Sequence, residues 1–592
     1  MKESIWLLTF EYAGIAKAGG LGEVPANQAK SLVDHFDFTV FIPSHGQISR
    51  LKLNKDITKL SLICKGFFNP EDVGLDFRSG EYEISYYQMQ LDGVNFILIS
   101  GENEFTSSFL GDNIVYNPDT FNGKLALFSI GIRYYMSQII KKSPERLPKL
   151  LHLHDYHSVI PSICMKQVLF KNKIYIPSII TIHLLTWPRH SIEFIKACGV
   201  NSSPIEIFLK EGYKSLTIEE IFRLCEKSEE VKLKRISKPS LEMIGAVISD
   251  LVISVSENYL KNEVIPNLGG DLIEFKSDFV WNGCDWDYEK MYNGVVEDLG
   301  DEISEFYGEG SNLNFSREAL REYLLTYKIG NLNESPLINS KKVLNTINEI
   351  SNGNPFIKNG RIRAFKESGP LALTTGRISK QKGFDLILES IPKIIEVIPN
   401  AKFLFLLLPN EYNIEEIKTY AEYVKKFPNN IRIIFGVAKD IFNLAHISAD
   451  VYCAISRWEP FGIIALEAMA SKLPVIATKV GGLQESVIDV RKYPENGTGI
   501  LIEKDNTFQL INALISIFKM QKISSKQPLK NHYTDLDNYI ESIPDHKIVE
   551  ILKSNPYIYE KLQSNCIDRV ENNFRWNIVS QKLRILYESL TE

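Results

Sequence analysis

The sequence predicts an α/β protein made of two doubly wound parallel-sheet domains, and three observations carry that prediction. Short β-branched and aromatic runs alternate with helical segments, as in successive βαβ units. The alternation lapses into polar sequence after residue 295 and restarts near residue 369. At 592 residues the chain also exceeds what one hydrophobic core can hold.

In the first half the candidate strands are Ile5–Phe10, Phe38–Pro43, Phe96–Ser100, Leu150–His154, Ser178–His183, Leu251–Val255 and Phe279–Asn282. The N-terminal run MKESIWLLTF reads as the first of them and not as a signal peptide, because it lacks a small-residue cleavage site. A charged, mostly helical insertion is expected over about 187–242, and residues 296–368, rich in Asn, Ser, Gly and Glu, read as an elaborated interdomain connection. The second half offers strands at Leu371–Thr375, Phe403–Leu408, Ile431–Gly436, Asp450–Ile455, Val475–Thr478 and Gly499–Ile502. A polar insertion over about 522–554 precedes a terminal helix in 576–592. The expected domains are therefore 1–295 and 369–575, facing across a cleft. No short tandem repeat is visible.

Composition excludes several classes of function. A formal net charge of −6 supplies no general basic field for nucleic acid. The longest apolar runs, Phe403–Leu408 and Ile179–Leu185, fall far short of the ~20 residues that cross a bilayer, so no membrane role is expected. Seven scattered cysteines with no CxxC pair fit free buried thiols in a reducing cytoplasm. Oligomeric state is not legible, and a homo-oligomer stays open.

The residues that carry chemistry sit at the ends of strands. In SRWEPFGIIALEAMASKLPVIATKVGGLQES, residues 456–486, Glu459 follows the strand Asp450–Ile455 at its carboxyl end, where open α/β sheets bind ligands. Pro460 holds it on an extended corner, Phe461 and Gly462 follow, and a helix starts whose N-terminus favours anions. Glu467 comes eight residues after Glu459, inside that helix. Two carboxylates so placed suit different tasks, one at a reacting sugar and one accepting hydrogen bonds from sugar hydroxyls. Taken singly, Glu459 also fits a helix cap and Glu467 a solvated face.

Three further segments join this one. In TTGRISKQKGFDLILESI, residues 374–391, a strand ends in a loop with Arg377, Lys380 and Lys382. Preorganised Arg and Lys can stabilise the charge that develops on a departing diphosphate, without a metal; the plainer alternative is a basic loop capping the next helix. In KAGGLGEVPANQAKSL, residues 17–32, Lys17 offers a cation while Gly19 and Gly20 permit close backbone approach. HLHDYH, residues 152–157, has strand-alternating histidines, but no further His or Cys cluster completes a metal site. His183 in TIHLL reads equally as a satisfied core histidine.

Together these strings resemble the glycogen/starch synthase family, retaining glycosyltransferases of the GT-B fold with two Rossmann-like domains. Glu459, seven residues, Glu467, with Pro-Phe-Gly after the first, resembles the signature of retaining GT-B transferases, and the presence of Glu467 resembles the archaeal-type synthases. KAGGL resembles the family's N-terminal Lys-x-Gly-Gly-Leu loop, and HDYH its His-Asp-Trp-His strand end, with Tyr156 in place of Trp. The resemblance implies that Arg377 and Lys382 contact the donor diphosphate and that Glu459 orients the glucosyl ring. It places His183 by the donor glucose, Asp155 and His157 on the sugar and acceptor side, and Gly481 and Gly482 on a second phosphate- or sugar-approach loop. Gly436 and Val437 are expected to read the base through backbone groups. Leu184 stands where the family has Asn, so one sugar contact is missing. The terminal helix is expected to pack back across the first domain. The implied reaction is glucose transfer from ADP- or UDP-glucose to the non-reducing end of an α-1,4-glucan, with retention and with no cofactor or metal beyond the nucleotide-sugar co-substrate. Alternatives are a related transferase making a trehalose-type disaccharide or glycoconjugate, and a non-catalytic binder of glucan or nucleotide-sugar. A phosphorylase is disfavoured because no segment resembles its pyridoxal phosphate lysine site.

Overall fold

A computed structural model of the chain describes residues 2–226, 238–308, 315–333, 336–338, 340–357, 362–525 and 533–591. It divides into two compact units, Met1–Gly283 with Trp576–Glu592, and Cys284–Arg575.

The strands of the first unit are β1 (Glu3–Leu8), β2 (Phe36–Pro43), β3 (Thr58–Phe68), β4 (Gly80–Leu91), β5 (Val94–Gly101), β6 (Leu150–His154), β7 (Ser178–Ile182), β8 (Ile205–Leu209), β9 (Gly212–Leu216), β10 (Leu251–Ser254) and β11 (Ser277–Phe279). Nine of them form one sheet in the order β11-β10-β7-β6-β1-β2-β5-β4-β3. β6 and β7 are buried at every residue, as strands covered by helices on both faces must be. Chain order reverses direction between β1 and β6, so the unit has its switch point there.

Three sequence expectations need correction here. The strand expected at Phe279–Asn282 lies earlier, at Ser277–Phe279, paired in parallel with β10. β3 and β4 were not foreseen; they pair antiparallel at the sheet edge, with β3 largely exposed. Most of the described part of the 187–242 insertion is not helical: between helices Ile192–Ala197 and Ile218–Glu226 it holds the β8–β9 hairpin, closed by a two-residue Lys210-Glu211 turn. The charged stretch 227–237 of that insertion lies outside the described residues.

The helix Trp576–Thr591 belongs to the first unit and buries Leu583 and Tyr587 in its core. The Tyr587 ring meets Phe36 edge-on at 5.3 Å, and its hydroxyl lies 2.6 Å from His152 Nδ1.

The second unit is wound on six parallel strands: β12 (Leu371–Arg377), β13 (Lys402–Leu408), β14 (Ile431–Phe435), β15 (Val451–Ala454), β16 (Val475–Thr478) and β17 (Gly499–Ile502). Their order is β14-β13-β12-β15-β16-β17, with the switch point between β12 and β15. Two polar segments contribute to this unit's core. In 296–368 the helix Lys341–Ile350 buries Val343 and Ile347 beside Ile357. In 522–554 the helix His546–Ser554 buries Ile548, Val549 and Leu552. Both are amphipathic helices whose polar faces dominate their composition.

Candidate active site

In the second unit, three loops meet at the carboxyl edge around the switch point. β12 ends on Arg377, whose side chain is exposed and has no partner among the described residues. The chain then turns through Lys380–Lys382 to Gly383, which opens the helix Phe384–Val397 at φ +67°. A Cβ on Gly383 would stand 2.0 Å from the Ile455 carbonyl oxygen, so only glycine lets this loop close on the one after β15.

The loop after β15 carries Glu459. Lys382 Nζ lies 2.5 Å from Glu459 Oε2, and the Ser456 hydroxyl donates to the same oxygen at 3.1 Å. The two loops are also tied through Arg457, whose guanidinium grips Asp385 at 2.8 and 2.7 Å and Asp505 at 2.6 Å. Such a bidentate fork fixes orientation as well as distance. Gln381 adds a bond to the Trp458 carbonyl at 2.8 Å. The acid and its cation are therefore held by a rigid frame and not by mobile side chains alone.

The remaining second-unit candidates line or support this corner. Gly462 opens the helix Ile463–Ala470, and Glu467 is half-buried within that helix. The Tyr452 phenol is pushed up chiefly by burial, and the Glu467 charge adds to the push. Phe461 turns its ring into the core, edge-on to Phe574 at 6.0 Å, so what it can offer a ligand is backbone. Gly481, after β16, packs against the Glu459 backbone: a Cβ there would stand 1.7 Å from the Glu459 carbonyl oxygen. Gly482 is tied by its N–H to the Pro460 carbonyl at 3.1 Å.

Gly436 and Val437 are partly tied to other backbone. The Gly436 N–H donates to the Leu407 carbonyl at 2.8 Å, while Val437 exchanges hydrogen bonds with Leu337 at 3.1 and 3.3 Å. Those three backbone groups are engaged within the protein, so a base read here would have to meet the Gly436 carbonyl or share the Val437 carbonyl. The partner comes from the polar segment 296–368, whose contact could not be inferred from local sequence.

In the first unit the candidates gather around the β1/β6 switch point. Gly19 and Gly20 face open space, with nothing within 4 Å of a built Cβ. Their loop is anchored by buried Glu11, which accepts the N–H groups of Ala18 at 2.6 Å and Gly19 at 2.9 Å and the Tyr116 hydroxyl at 2.7 Å. Lys17, about half exposed, pairs with Glu23. Asp155 follows β6 at φ +57°, and its carboxylate accepts the His183 N–H at 2.7 Å, joining the ends of β6 and β7. Burial pushes the Asp155 carboxyl well above the usual range, against the pull of that bond. His183 Nε2 lies 2.9 Å from His154 Nδ1. His157 is enclosed by the rings of Phe10, Tyr156 and Tyr116, and neither of its nitrogens has a partner among the described residues. Burial pulls His157 and His183 down to about 3, so both are neutral at ordinary pH.

Two family models cover most of the chain. Residues 4–275 match the starch synthase catalytic domain, and residues 357–534 match glycosyl transferases group 1. A glycogen synthase of Desulfitobacterium hafniense is 21% identical over 97% of this chain and 96% of its own length. A glycogen synthase of Streptococcus mutans is 22% identical over 99% of each. The chain belongs to the glycogen/starch synthase family. As a member it is a retaining hexosyltransferase of the GT-B fold. The catalytic domain of starch synthase IV from Arabidopsis thaliana, bound to ADP and acarbose, shares that fold with a TM-score of 0.63, 16% identity and full coverage of both chains.

Within the synthase family frame, several residues escaped the sequence reading. Glu11, Tyr116, His154 and Arg457 each hold a candidate loop; His154 and Arg457 lie inside the strings quoted above, but no string reveals their partners. Glu11 was the most findable, since it is a lone acid between Phe10 and Tyr12 directly after an apolar strand. Among the described residues no three His, Cys, Asp or Glu side chains converge as metal ligands, and no helix is long and apolar enough to cross a membrane.

Proposed function

We propose that this synthase-family transferase moves glucose from ADP- or UDP-glucose to the non-reducing end of an α-1,4-glucan. What supports the reading above all is the Lys382–Glu459 pair, with Arg377, which has no partner among the described residues, at the same carboxyl edge of the β12/β15 switch point. That edge is where doubly wound sheets take nucleotides. As the bond from the anomeric carbon to the β-phosphate oxygen breaks, its electron pair stays on the diphosphate. Arg377 and Lys382 neutralise that charge from a segment whose Lys380 carbonyl and Asp385 the Arg457 guanidinium already holds. The acceptor hydroxyl bonds to the same face of the anomeric carbon and passes its proton to a leaving phosphate oxygen, giving retention. Glu459 steadies the ring and the positive charge on it.

In the first unit, His183, Asp155 and His157 would meet sugar hydroxyls, and the open Gly19–Gly20 turn with Lys17 would favour an anionic group. No metal is needed in this scheme. We place the protein in the cytoplasm, on the strength of seven free, buried thiols. The test is release of ADP or UDP from the corresponding glucose donor with glycogen as acceptor. Release that depends on glycogen supports the proposal; release only with a small-sugar acceptor, or none, rejects it.

A further inference from the structure

His154 lies among the buried histidines of the first unit, in a place the reaction scheme leaves unused. It ends β6, directly across the parallel register from Thr181, and is wholly buried. Its Nδ1 is 2.9 Å from His183 Nε2, with the two ring planes 17° apart. Its other nitrogen, Nε2, is buried with no partner among the described residues. Neighbouring His152 cannot serve as one, because both of its nitrogens are spent, on the Tyr587 hydroxyl at 2.6 Å and the Thr181 hydroxyl at 2.7 Å.

We infer that His154 is a positioning residue that fixes the tautomer of His183, donating from Nδ1–H to His183 Nε2 so that His183 presents Nδ1–H as a donor to the substrate. The inference rests on the reading of His183 as a sugar-contacting residue and says how that residue is set.

The argument is one of hydrogen-bond satisfaction. Two neutral imidazoles share one hydrogen bond, so one ring must donate. If His183 donated from Nε2, the proton of His154 would sit on Nε2, a buried N–H with nothing to receive it. Orphaned buried donors are the rarer and costlier defect, whereas a bare lone pair is more easily tolerated. Donation by His154 leaves only the lone pair. The second proton then goes to His183 Nδ1, and His183 is the ring of this pair that retains some exposure, 7% against none for His154. Burial keeps both rings neutral, so the donor persists without titrating in the working range.

The test uses full-length protein carrying ring-labelled 15N-histidine, with His183 assigned by the loss of its signals in His183→Ala. In the wild type, His183 Nδ1 should give the protonated, pyrrole-type resonance and Nε2 the pyridine-type one; the reverse pattern overturns the inference. His154→Leu removes the donor and should mix the His183 tautomers and lower kcat on the order of tenfold, with little change in donor KM. His154→Asn keeps an N–H near the position of Nδ1 and should restore the His183 pattern and most of kcat. A His154→Leu protein that keeps the wild-type His183 pattern also overturns it. Should the tautomers come out as stated while His183→Ala retains full turnover, the reading of His183 as a substrate contact fails and the positioning by His154 stands.

Discussion

Replacing Lys382 by Met separates the structural from the catalytic meaning of the Lys382–Glu459 pair. The ion pair is 2.5 Å long and partly screened, with side chains 21% and 11% exposed. Partial exposure keeps its net contribution to stability small, about 1 kcal/mol, which lowers the melting temperature by only a few degrees in a chain this long. Met preserves the aliphatic stem and its packing, and the Ser456 hydroxyl still donates to Glu459 Oε2. The transition state loses far more. A preorganised charge aimed at a developing oxyanion contributes roughly 3–4 kcal/mol, equivalent to about 10²–10³ in kcat. Turnover should therefore fall about a hundredfold or more while the protein stays folded. The assay is NDP release at saturating ADP- or UDP-glucose with glycogen, run beside a thermal melt. A kcat within about threefold of wild type would refute the placement of the diphosphate at Lys382. A loss of more than about ten degrees would mean that the pair is chiefly structural.

Other perturbations follow from the same geometry. Glu459→Gln removes the charge that Lys382 faces and should cripple transfer while the far-ultraviolet circular dichroism stays native; full activity would remove Glu459 from the site. Gly481→Ala should cost on the order of 2–4 kcal/mol, because it adds a 1.7 Å clash with the Glu459 carbonyl to a φ of +44°. Gly74→Ala, at φ +75° with open space around it, is the control for backbone strain alone. Equal urea midpoints for the two variants would show that the Gly481–Glu459 contact is unimportant. Acid should destabilise the first unit earlier than ordinary carboxylate titration does. His45, His152, His157 and His183 are pulled down to about 3 by burial, below their unfolded value of 6.5. The unfolded chain thus binds protons that the folded one refuses, and stability present above pH 6.5 is lost as pH falls towards 3. The slope is about 1.4 kcal/mol per pH unit for each such histidine. Urea midpoints that stay level between pH 6.5 and 5 would contradict this.

The parallel strands were legible because strands covered on both faces must be apolar throughout, as in SIITI of β7 and KFLFLLL of β13. β3 escaped because it is an edge strand whose exposed and buried positions mix polar and apolar types. The β8–β9 hairpin was masked by the charged sequence around it. In the candidate site, the residues proposed to meet a ligand were readable, since strand-end loops carry them at fixed spacing. Their supports were not. Arg457 meets Asp385 across 72 residues and Glu11 meets Tyr116 across 105, and no local pattern encodes such pairings. The Leu337 bridge over Val437 is the same lesson in reverse, a distant segment occupying groups that local sequence left free.

The most direct measurement is the structure of the product made from glucose-labelled ADP- or UDP-glucose and a maltooligosaccharide acceptor, read by proton NMR at the new anomeric centre. Stoichiometric nucleoside diphosphate and a new α-1,4-linked glucosyl unit at the non-reducing end are the predicted result. A β-linked product, or donor consumed without any transfer to the glucan, would contradict it.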